Sequence, residues 1–207
     1  MTDEFFMPYL CALNCTRRSM ALAAAILSAS GVRGPLAELV GRSPLAGLRI
    51  LEINPVCDST STLNGALGHC TLEYPGNDLS GLSFDEGAWD LVVGSETYHH
   101  VSDPVAALAE CRQMIGAEVR CVFTVPIVWE RLGHSRARFE PSYHGNAADV
   151  TSDLLVYTEF GADAWATVVC AGFSACTLHC LEFPAGLAIE AGTPHHERHS
   201  PLRGTDR

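Results

Sequence analysis

The sequence predicts an α/β fold, a doubly wound and mostly parallel β-sheet with helices on both faces. Three observations lead to this prediction. Short apolar runs alternate with helical segments along most of the chain. These runs are apolar throughout, as expected for parallel strands that are buried on both sides. The chain has 207 residues, of which 47% are hydrophobic, and this is enough for a sizeable core in one domain.

The first 44 residues are expected to form a lead-in with helices ahead of the main domain. Residues 1–15 show no clear period. A helix is predicted from Thr16 to Ser30, because Thr16 can cap it, Ala and Leu dominate its middle, and Gly31 follows its end. A short helix is expected after Pro35, ending at Gly41. The main domain is predicted to span residues 45–191.

The first half of that domain contains two predicted strands. Leu48 to Ile53 is a short apolar run typical of a buried parallel strand, and we expect it to be central. A polar loop from Asn54 to Ser61 follows, and then a weak helix to about Leu67. The second strand is expected from Cys70 to Tyr74, because Pro-Gly-Asn comes directly after it.

The second half begins with a strand from Trp89 to Gly94 and the most amphipathic helix of the chain, from Asp103 to Ile115. Asp103 can cap this helix, and Pro104 suits its first turn. Another buried strand is predicted from Val119 to Val125. The apolar face of the helix has helical spacing, with Val105, Leu108, Cys111, Met114 and Ile115.

Residues 127–157 are polar and are expected to be irregular. A helix is predicted from Phe160 to Ala171, and the last strand from Thr177 to Phe183. The tail, residues 192–207, is polar and contains proline, and we expect it to be disordered.

The net charge of the chain argues against nucleic acids and anionic membranes as binding partners. Thirteen basic residues against 24 acidic ones give a net charge of -11, which disfavours nucleic acids and anionic membrane surfaces. The first residues are acidic rather than basic, and the apolar stretch from Met20 to Leu27 is too short to span a bilayer. We expect a cytoplasmic protein that acts on a small molecule, with no nucleic-acid or membrane partner.

Metal binding is not favoured by the sequence. The nine cysteines are scattered, and most of them are expected to behave as small buried apolar residues. Cys11 and Cys15 form a pair, but no second pair follows at zinc-finger spacing. His134, His144, His99 and His100 lack the i, i+4 spacing of a helical metal site, so no metal is predicted.

Open parallel sheets bind their ligands beyond the carboxyl ends of their strands. Four segments of this chain are expected to meet there. They are the loop after Ile53, the turn at Glu73, the segment from Ser95 to His100, and the segment after Val125.

The residues at these positions carry a resemblance to a known family. The run LEINPVCDSTSTL resembles the first motif of class I S-adenosylmethionine-dependent methyltransferases, in which an acidic residue at the end of a strand precedes a glycine-rich turn. Glu52 matches the acidic position, and Asn54, Val56 and Asp58 occupy the glycine positions. Residues 78–93 and 95–104 are similar to the family's approach to its fourth strand and to the block that follows, with His99 where Glu is usual. The resemblance covers about residues 45–180.

The resemblance implies S-adenosylmethionine as cofactor and a Rossmann-like fold. It places Glu73 where an acidic side chain accepts hydrogen bonds from both ribose hydroxyls, and Asp78 where it receives one from the adenine amino group. The alternatives are a solvated strand end for Glu73 and a turn residue for Asp78. Ser95 and Glu96 are also expected at the cofactor.

Three histidines are the predicted catalytic residues. His99 and His100 open the segment beyond the third predicted strand, and a base role would suit a side chain with a pKa near neutrality. His144 is expected to line the substrate pocket. For each of them, a structural hydrogen bond is the alternative.

The altered glycine positions leave two functions open. Val56 adds a β-branched side chain where the backbone of the family is bare. Asp58 adds a charge near the cofactor carboxylate, and two like charges about 4 Å apart repel by roughly 4 kcal/mol at an effective dielectric constant near 20. The sequence therefore predicts a methyltransferase acting on an unidentified small molecule or metabolite, or a catalytically inactive methyltransferase-like binding or partner protein. A nicotinamide dehydrogenase is a weaker third hypothesis, because it needs the same glycines.

Overall fold

A six-stranded sheet forms the centre of the computed structural model, which describes residues 17–41, 43–55, 57–76, 79, 81–82, 84–144, 154–182 and 185–192. The strands lie in the order β2-β1-β3-β4-β9-β8. Their bounds are Arg49–Ile53 for β1, Gly68–Leu72 for β2, Trp89–Ser95 for β3, Ile115–Thr124 for β4, Ala175–Leu181 for β8 and Gly186–Gly192 for β9.

Most of this sheet is parallel, as predicted. Strand β1 pairs in parallel with both β2 and β3, and β3 pairs in parallel with β4. Strand β9 runs antiparallel to both of its neighbours, β4 and β8. The carboxyl ends of β1, β2, β3, β4 and β8 therefore lie along one edge of the sheet, and the strand order reverses between β1 and β3.

Helices cover both faces, because alternate residues of the buried strands point to opposite sides. One face carries α1 (Arg17–Ala29), α2 (Leu36–Leu39), a 3-10 turn (Ser43–Gly47) and α3 (Cys57–Leu63), packed on the strand residues Ile50, Leu91, Val93 and Val122. The other face carries α4 (Pro104–Met114) and α5 (Ala164–Cys170), packed on Leu51, Val92 and Phe123. The predicted doubly wound α/β class is confirmed.

The segment after β4 adds a small second sheet, with the order β5-β7-β6. Its strands are β5 (Ile127–Val128), β6 (His134–Ser135) and β7 (Thr158–Gly161). It lies next to a 3-10 turn (Tyr98–His100) that follows β3, and the backbone N–H of Tyr157 donates to the carbonyl of His99 at 2.9 Å. The predicted irregular region therefore contains short strands that join it to the main domain.

The two N-terminal helices and the amphipathic helix were predicted well. In α4, the Asp103 side chain caps the helix by accepting from the backbone N–H of Ala106 at 2.9 Å. The predicted inner face is buried at Leu108, Cys111 and Met114. None of the described helices is long and apolar enough to cross a membrane. The predicted lead-in 1–15, the cap Thr16 and residues 193–207 lie outside the described residues.

The predicted helix from Phe160 to Ala171 starts too early. Phe160 and Gly161 belong to β7, where they pair with Ile127 and Val128, and α5 begins at Ala164. A Cβ atom on Gly161 would lie 2.3 Å from the carbonyl oxygen of Arg131. The backbone of the segment around Arg131 leaves no room for a side chain at this position, which explains why residue 161 is a glycine. The residue is in a strand because it pairs with Val128.

The prediction that the last strand is residues 177–183 is wrong, because β9 follows it. Strand β9 contains Glu190, whose charge interrupts an otherwise apolar run. In the fold this carboxylate accepts from Arg120 Nε at 3.0 Å and contacts His179 Nε2 at 2.8 Å. The partners come from other strands, so the chain around Glu190 gives no local sign of them.

Two further boundaries differ. Helix α3 begins at Cys57, inside the predicted polar loop. Strand β2 begins at Gly68 and ends at Leu72, so Glu73 and Tyr74 lie just beyond it.

Candidate active site at the carboxyl edge of the sheet

The carboxyl edge brings together five of the residues predicted to contact a cofactor. Glu52 and Asn54 lie at the end of β1, Glu73 follows β2, and Ser95 and Glu96 lie at the end of β3. Val56 and Asp78 are outside the described residues, as is the side chain of Asp58.

Glu52 is directed into the protein. Its side chain is 1% exposed. One carboxylate oxygen accepts from the hydroxyl of Thr60 on α3 at 3.0 Å, and the other lies 3.0 Å from Nε2 of His69 on β2. His69 in turn contacts Asn64 through Nδ1 at 2.8 Å. This network connects β1 to α3 and β2. Glu52 therefore stabilises the positions of these elements at the carboxyl edge.

Asn54 forms the turn that follows β1. Its φ angle is +52°, a left-handed conformation that Asn adopts more readily than most residues. Its side-chain oxygen accepts from the backbone N–H of Tyr74 at 2.8 Å, and its own N–H donates to the carbonyl of Leu72 at 2.9 Å. The backbone and the side chain of Asn54 therefore both join the loop after β1 to the end of β2 and the loop that follows it.

Tyr74 connects the loop after β2 to the segment after β3. Its hydroxyl donates to the backbone carbonyl of His100 at 2.7 Å. The Tyr74 ring is half-buried and packs against the core cluster that includes Leu51 and Ile53 of β1. Tyr74 was not a predicted site residue, and an aromatic residue after a strand gives no sign of a partner 26 positions away.

The other predicted cofactor residues at this edge differ in exposure. Glu73 is exposed beyond the end of β2. Ser95 is buried, and its hydroxyl lies 3.4 Å from the hydroxyl of Thr124 on β4. The Glu73 side chain can therefore contact a ligand from solution, whereas the Ser95 side chain is buried.

Glu96 lies at the end of β3 with a φ angle of +51°, which is unusual for a residue with a side chain. Its Oε2 lies 3.5 Å from Nη1 of Arg18 on α1 and makes no hydrogen bond within the described part of the chain. Burial raises the pKa of Glu96, and the charge of Arg18 and a hydrogen bond from Thr124 act against this. A backbone strained at a strand end is frequent at functional sites.

Glu96 and Arg18 line a cavity of about 760 Å³. The cavity opens at the carboxyl ends of β3, β4 and β8, beside the start of α1, and its size suits a small-molecule ligand. Its wall combines these two charged residues with Arg17, Cys180 and a largely apolar remainder that comprises Val125, Pro126, Ile127, Trp129, Leu181, Ala185, Gly186 and Leu187. Arg17, Arg18 and Trp129 were not among the predicted site residues.

The three predicted catalytic histidines meet in space, as a cluster of His99, His100 and His144. One ring nitrogen of each lies within 4.8 Å of those of the other two. His99 Nε2 is 2.9 Å from His144 Nδ1, and His100 Nδ1 is 2.8 Å from the carbonyl oxygen of Leu155. His99 and His100 are buried, whereas His144 is partly exposed.

Burial lowers the pKa of two members of the histidine cluster. Burial, together with the neighbouring His100 and His144, lowers the pKa of His99 from 6.5 to about 2. Burial and the nearby His100 also lower the pKa of His144. A ring with a pKa far below the working pH is a weak proton acceptor. The geometry therefore brings the predicted residues together but weakens the case for His99 as a base.

Comparison with known proteins identifies a domain. Residues 40–123 match the family model described as "Methyltransferase domain". This stretch is about two fifths of the chain and runs from before β1 to β4. No curated protein matches the sequence.

Several solved structures are similar in fold. The trans-methyltransferase CalH in complex with SAH is 16% identical, with a TM-score of 0.46, over 85% of this chain and 60% of CalH. PigF with SAH is 16% identical, with a TM-score of 0.45, over 70% of this chain and 51% of PigF. The 1,6-didemethyltoxoflavin-N1-methyltransferase from Burkholderia thailandensis, with bound 1,6-didemethyltoxoflavin and S-adenosylhomocysteine, is 17% identical, with a TM-score of 0.45, over 83% of this chain and 80% of that enzyme.

The chain thus spans between half and three fifths of the length of CalH and PigF. The family match coincides with the parallel half of the sheet and with the strand ends that form the candidate site. Residues 40–123 are therefore similar to a methyltransferase domain, and the chain has a Rossmann-like α/β fold.

Proposed function

We propose that this protein is an S-adenosylmethionine-dependent methyltransferase that acts on a small molecule. The observation that carries the proposal is the match of residues 40–123 to the methyltransferase domain, because these residues supply the carboxyl ends of β1, β2 and β3 and include Glu96, which lines the cavity. Solved proteins of similar fold contain S-adenosylhomocysteine, the product of the cofactor.

The edge offers suitable groups for the cofactor. Asn54 already has the positive φ angle that a close turn after β1 needs. Glu73 is exposed one residue beyond β2, where its carboxylate can accept hydrogen bonds from a ribose. In this proposal, the cofactor lies over the ends of β1, β2 and β3, next to Tyr74. The cofactor supplies an electrophilic methyl group, and the protein supplies position and orientation.

The cavity is the proposed site of the methyl acceptor. It lies beside Glu96, at the boundary between the cofactor half of the edge and the half formed by β4 and β8. Arg18 and Glu96 provide a polar contact of each sign, and Trp129 and Leu187 provide apolar surface. We propose a partly apolar metabolite with at least one polar group as acceptor.

Two features favour the alternative of a catalytically inactive, methyltransferase-like binding protein. The three glycine positions after β1 carry Asn54, Val56 and Asp58. The Tyr74 side chain also lies at this edge, held by its hydrogen bond to the carbonyl of His100, near where the cofactor would approach.

One experiment distinguishes the active methyltransferase from the inactive binding protein. S-adenosylmethionine and S-adenosylhomocysteine are each titrated into the protein, and binding is followed by calorimetry and by thermal unfolding. Saturation at 100 times the dissociation constant stabilises a protein by about 2.7 kcal/mol. ATP and NAD serve as matched controls, because they share the adenosine and lack the sulfur-linked amino-acid portion of both S-adenosyl compounds. Selective binding of the two S-adenosyl compounds supports the methyltransferase. No binding of either compound by a folded protein supports the inactive alternative.

A further inference from the structure

We propose that His99, His100 and His144 form a binding site for one divalent transition-metal ion of the zinc class. The observation is their juxtaposition. Three imidazole nitrogens from two distant parts of the chain lie within 4.8 Å of one another. No metal was predicted from the sequence, because His144 is 44 residues from its nearest partner in the cluster.

The distances suit a metal centre. Nitrogen ligands lie 2.0–2.1 Å from zinc in a tetrahedral site, which places them about 3.4 Å from one another. In the histidine cluster, His99 Nε2 and His144 Nδ1 are 2.9 Å apart, and one ring nitrogen of each histidine lies within 4.8 Å of those of the other two. A small rotation of His144, the partly exposed member, is sufficient to open the short contact around an ion.

The hydrogen bond of His100 fixes which nitrogen can act as a ligand. The carbonyl oxygen of Leu155 only accepts, so Nδ1 of His100 carries the proton and donates to it at 2.8 Å. In the neutral ring the lone pair is then on Nε2. A backbone carbonyl that orients a ligating histidine through its other nitrogen is the usual arrangement around protein-bound metals.

His99 shows the feature that most needs an explanation. Its side chain is 1% exposed, and Nδ1 is buried without a hydrogen-bond partner among the described residues. Leaving a buried polar atom unpaired costs free energy. A metal ion bound at Nε2 of His99 leaves this Nδ1 atom unpaired, so the support for a metal comes from the 2.9 Å contact between Nε2 and His144 Nδ1, which the ion would replace.

The charges around the cluster are mixed. The neutral rings are the form that binds metals, since no proton has to be displaced. Arg18 is close enough to act on His99 and His144, which disfavours a cation, and Glu159 acts on His144 in the opposite direction. Arg18 is itself paired with Glu96. The site therefore has no large net positive charge.

An ion at this position would join the segment after β4 to the main domain. His144 lies in that segment, next to the bridge between Tyr143 and Leu155, whereas His99 and His100 lie in the turn after β3. Three protein ligands leave a fourth position for water or for an oxygen of a bound molecule.

The experiment measures metal binding without any S-adenosyl compound, so its outcome is independent of the proposed function. The full chain is used with His195, His196 and His199 replaced by Asn, because these histidines of the tail offer a competing site. Zinc is titrated by calorimetry against a competing chelator. Cobalt is titrated in parallel, and its absorption spectrum is recorded. A thiolate-to-cobalt charge-transfer band in that spectrum would show that cysteines bind the ion.

We expect one equivalent of zinc, a cobalt spectrum without thiolate charge transfer, and a rise in the midpoint of thermal unfolding. Loss of an outer-shell partner typically costs 10–100-fold in metal affinity, so His144→Ala, which removes a ligand at the surface, should cost at least about 100-fold. His134→Ala is the matched control, since His134 is partly exposed and outside the cluster, and it should bind as the parent does. No binding by the folded parent, or equal binding by His144→Ala, would overturn the proposal.

Discussion

At the carboxyl edge, the partners of single side chains decide what each predicted residue can do. Glu52 is held by Thr60 and His69, and Asn54 is held by Tyr74. Their polar groups are therefore used within the protein. Glu73 is exposed beyond the end of its strand.

Replacing Glu73 tests its proposed contact with the ribose. Hydrogen bonds to a charged group contribute about 1.5–3 kcal/mol, so Glu73→Ala should weaken S-adenosylhomocysteine binding by roughly 10- to 100-fold in calorimetry. Glu86→Ala removes an exposed carboxylate elsewhere and is the matched control. Unchanged affinity in Glu73→Ala would remove Glu73 from the site.

The loop after β1 is the second residue-scale test. Val56→Gly with Asp58→Gly restores two glycines at positions that the family keeps bare, and removes a charge near the expected cofactor carboxylate. We expect tighter binding of S-adenosylmethionine by calorimetry, despite some loss of stability from the added chain entropy. Equal and tight binding by both proteins would show that the native loop already accepts the cofactor.

At the scale of secondary-structure elements, buried polar contacts fix the second half of the sheet. Arg120 on β4 and Glu190 on β9 are both nearly inaccessible, and their side chains meet at 3.0 Å. Strand β9 is thereby attached to β4 by an ion pair as well as by backbone hydrogen bonds.

Glu190→Ala should be strongly destabilising, because it leaves the Arg120 charge buried without its carboxylate. Removing one member of a buried ion pair typically costs about 3–5 kcal/mol, which urea unfolding would measure. Replacing both residues, as Arg120→Met with Glu190→Leu, should cost much less. If the double variant is as unstable as the single one, the uncompensated charge is not the cause.

Gly161 is required by the backbone of the segment after β4. A Cβ atom there would meet the backbone of residues 131–133 at 2.3 Å, a separation that real structures do not allow. Gly161→Ala should therefore destabilise the protein by more than about 1 kcal/mol and disturb β7, as seen in urea unfolding and hydrogen exchange. Gly47→Ala is the control, since nothing lies within 4 Å of its added Cβ. Equal stability of the two variants would contradict this packing.

At the scale of the whole molecule, charge limits the partners. The net charge of -11 leaves no general attraction for a polyanion. We expect the protein to pass through heparin resin and to leave duplex DNA unshifted at about 50 mM salt, where phosphate contacts are strong. Salt-sensitive retention on heparin would show a local basic surface and contradict the expectation of no nucleic-acid partner.

The sequence by itself determined the layered architecture. The apolar runs at β1, β3 and β4 and the amphipathic helix α4 are local patterns, because burial on two faces or on one stripe is written into adjacent residues. The same reasoning identified the segments that meet at the carboxyl edge, since strand ends in a parallel sheet share an edge. The motif blocks between residues 45 and 126 indicated the methyltransferase resemblance, and the match over residues 40–123 agrees with it.

Only the tertiary structure decided the features that depend on distant partners. Strand β9 was missed because Glu190 is neutralised by Arg120, 70 residues away. The helical reading of Phe160 and Gly161 failed because the backbone of residues 131–133 approaches them. Tyr74 belongs to the site because it bonds to His100, and Arg18 because it pairs with Glu96. Neither partner is near in sequence. The histidine cluster forms for the same reason: the chain brings His144 back to His99, and no local spacing encodes that return.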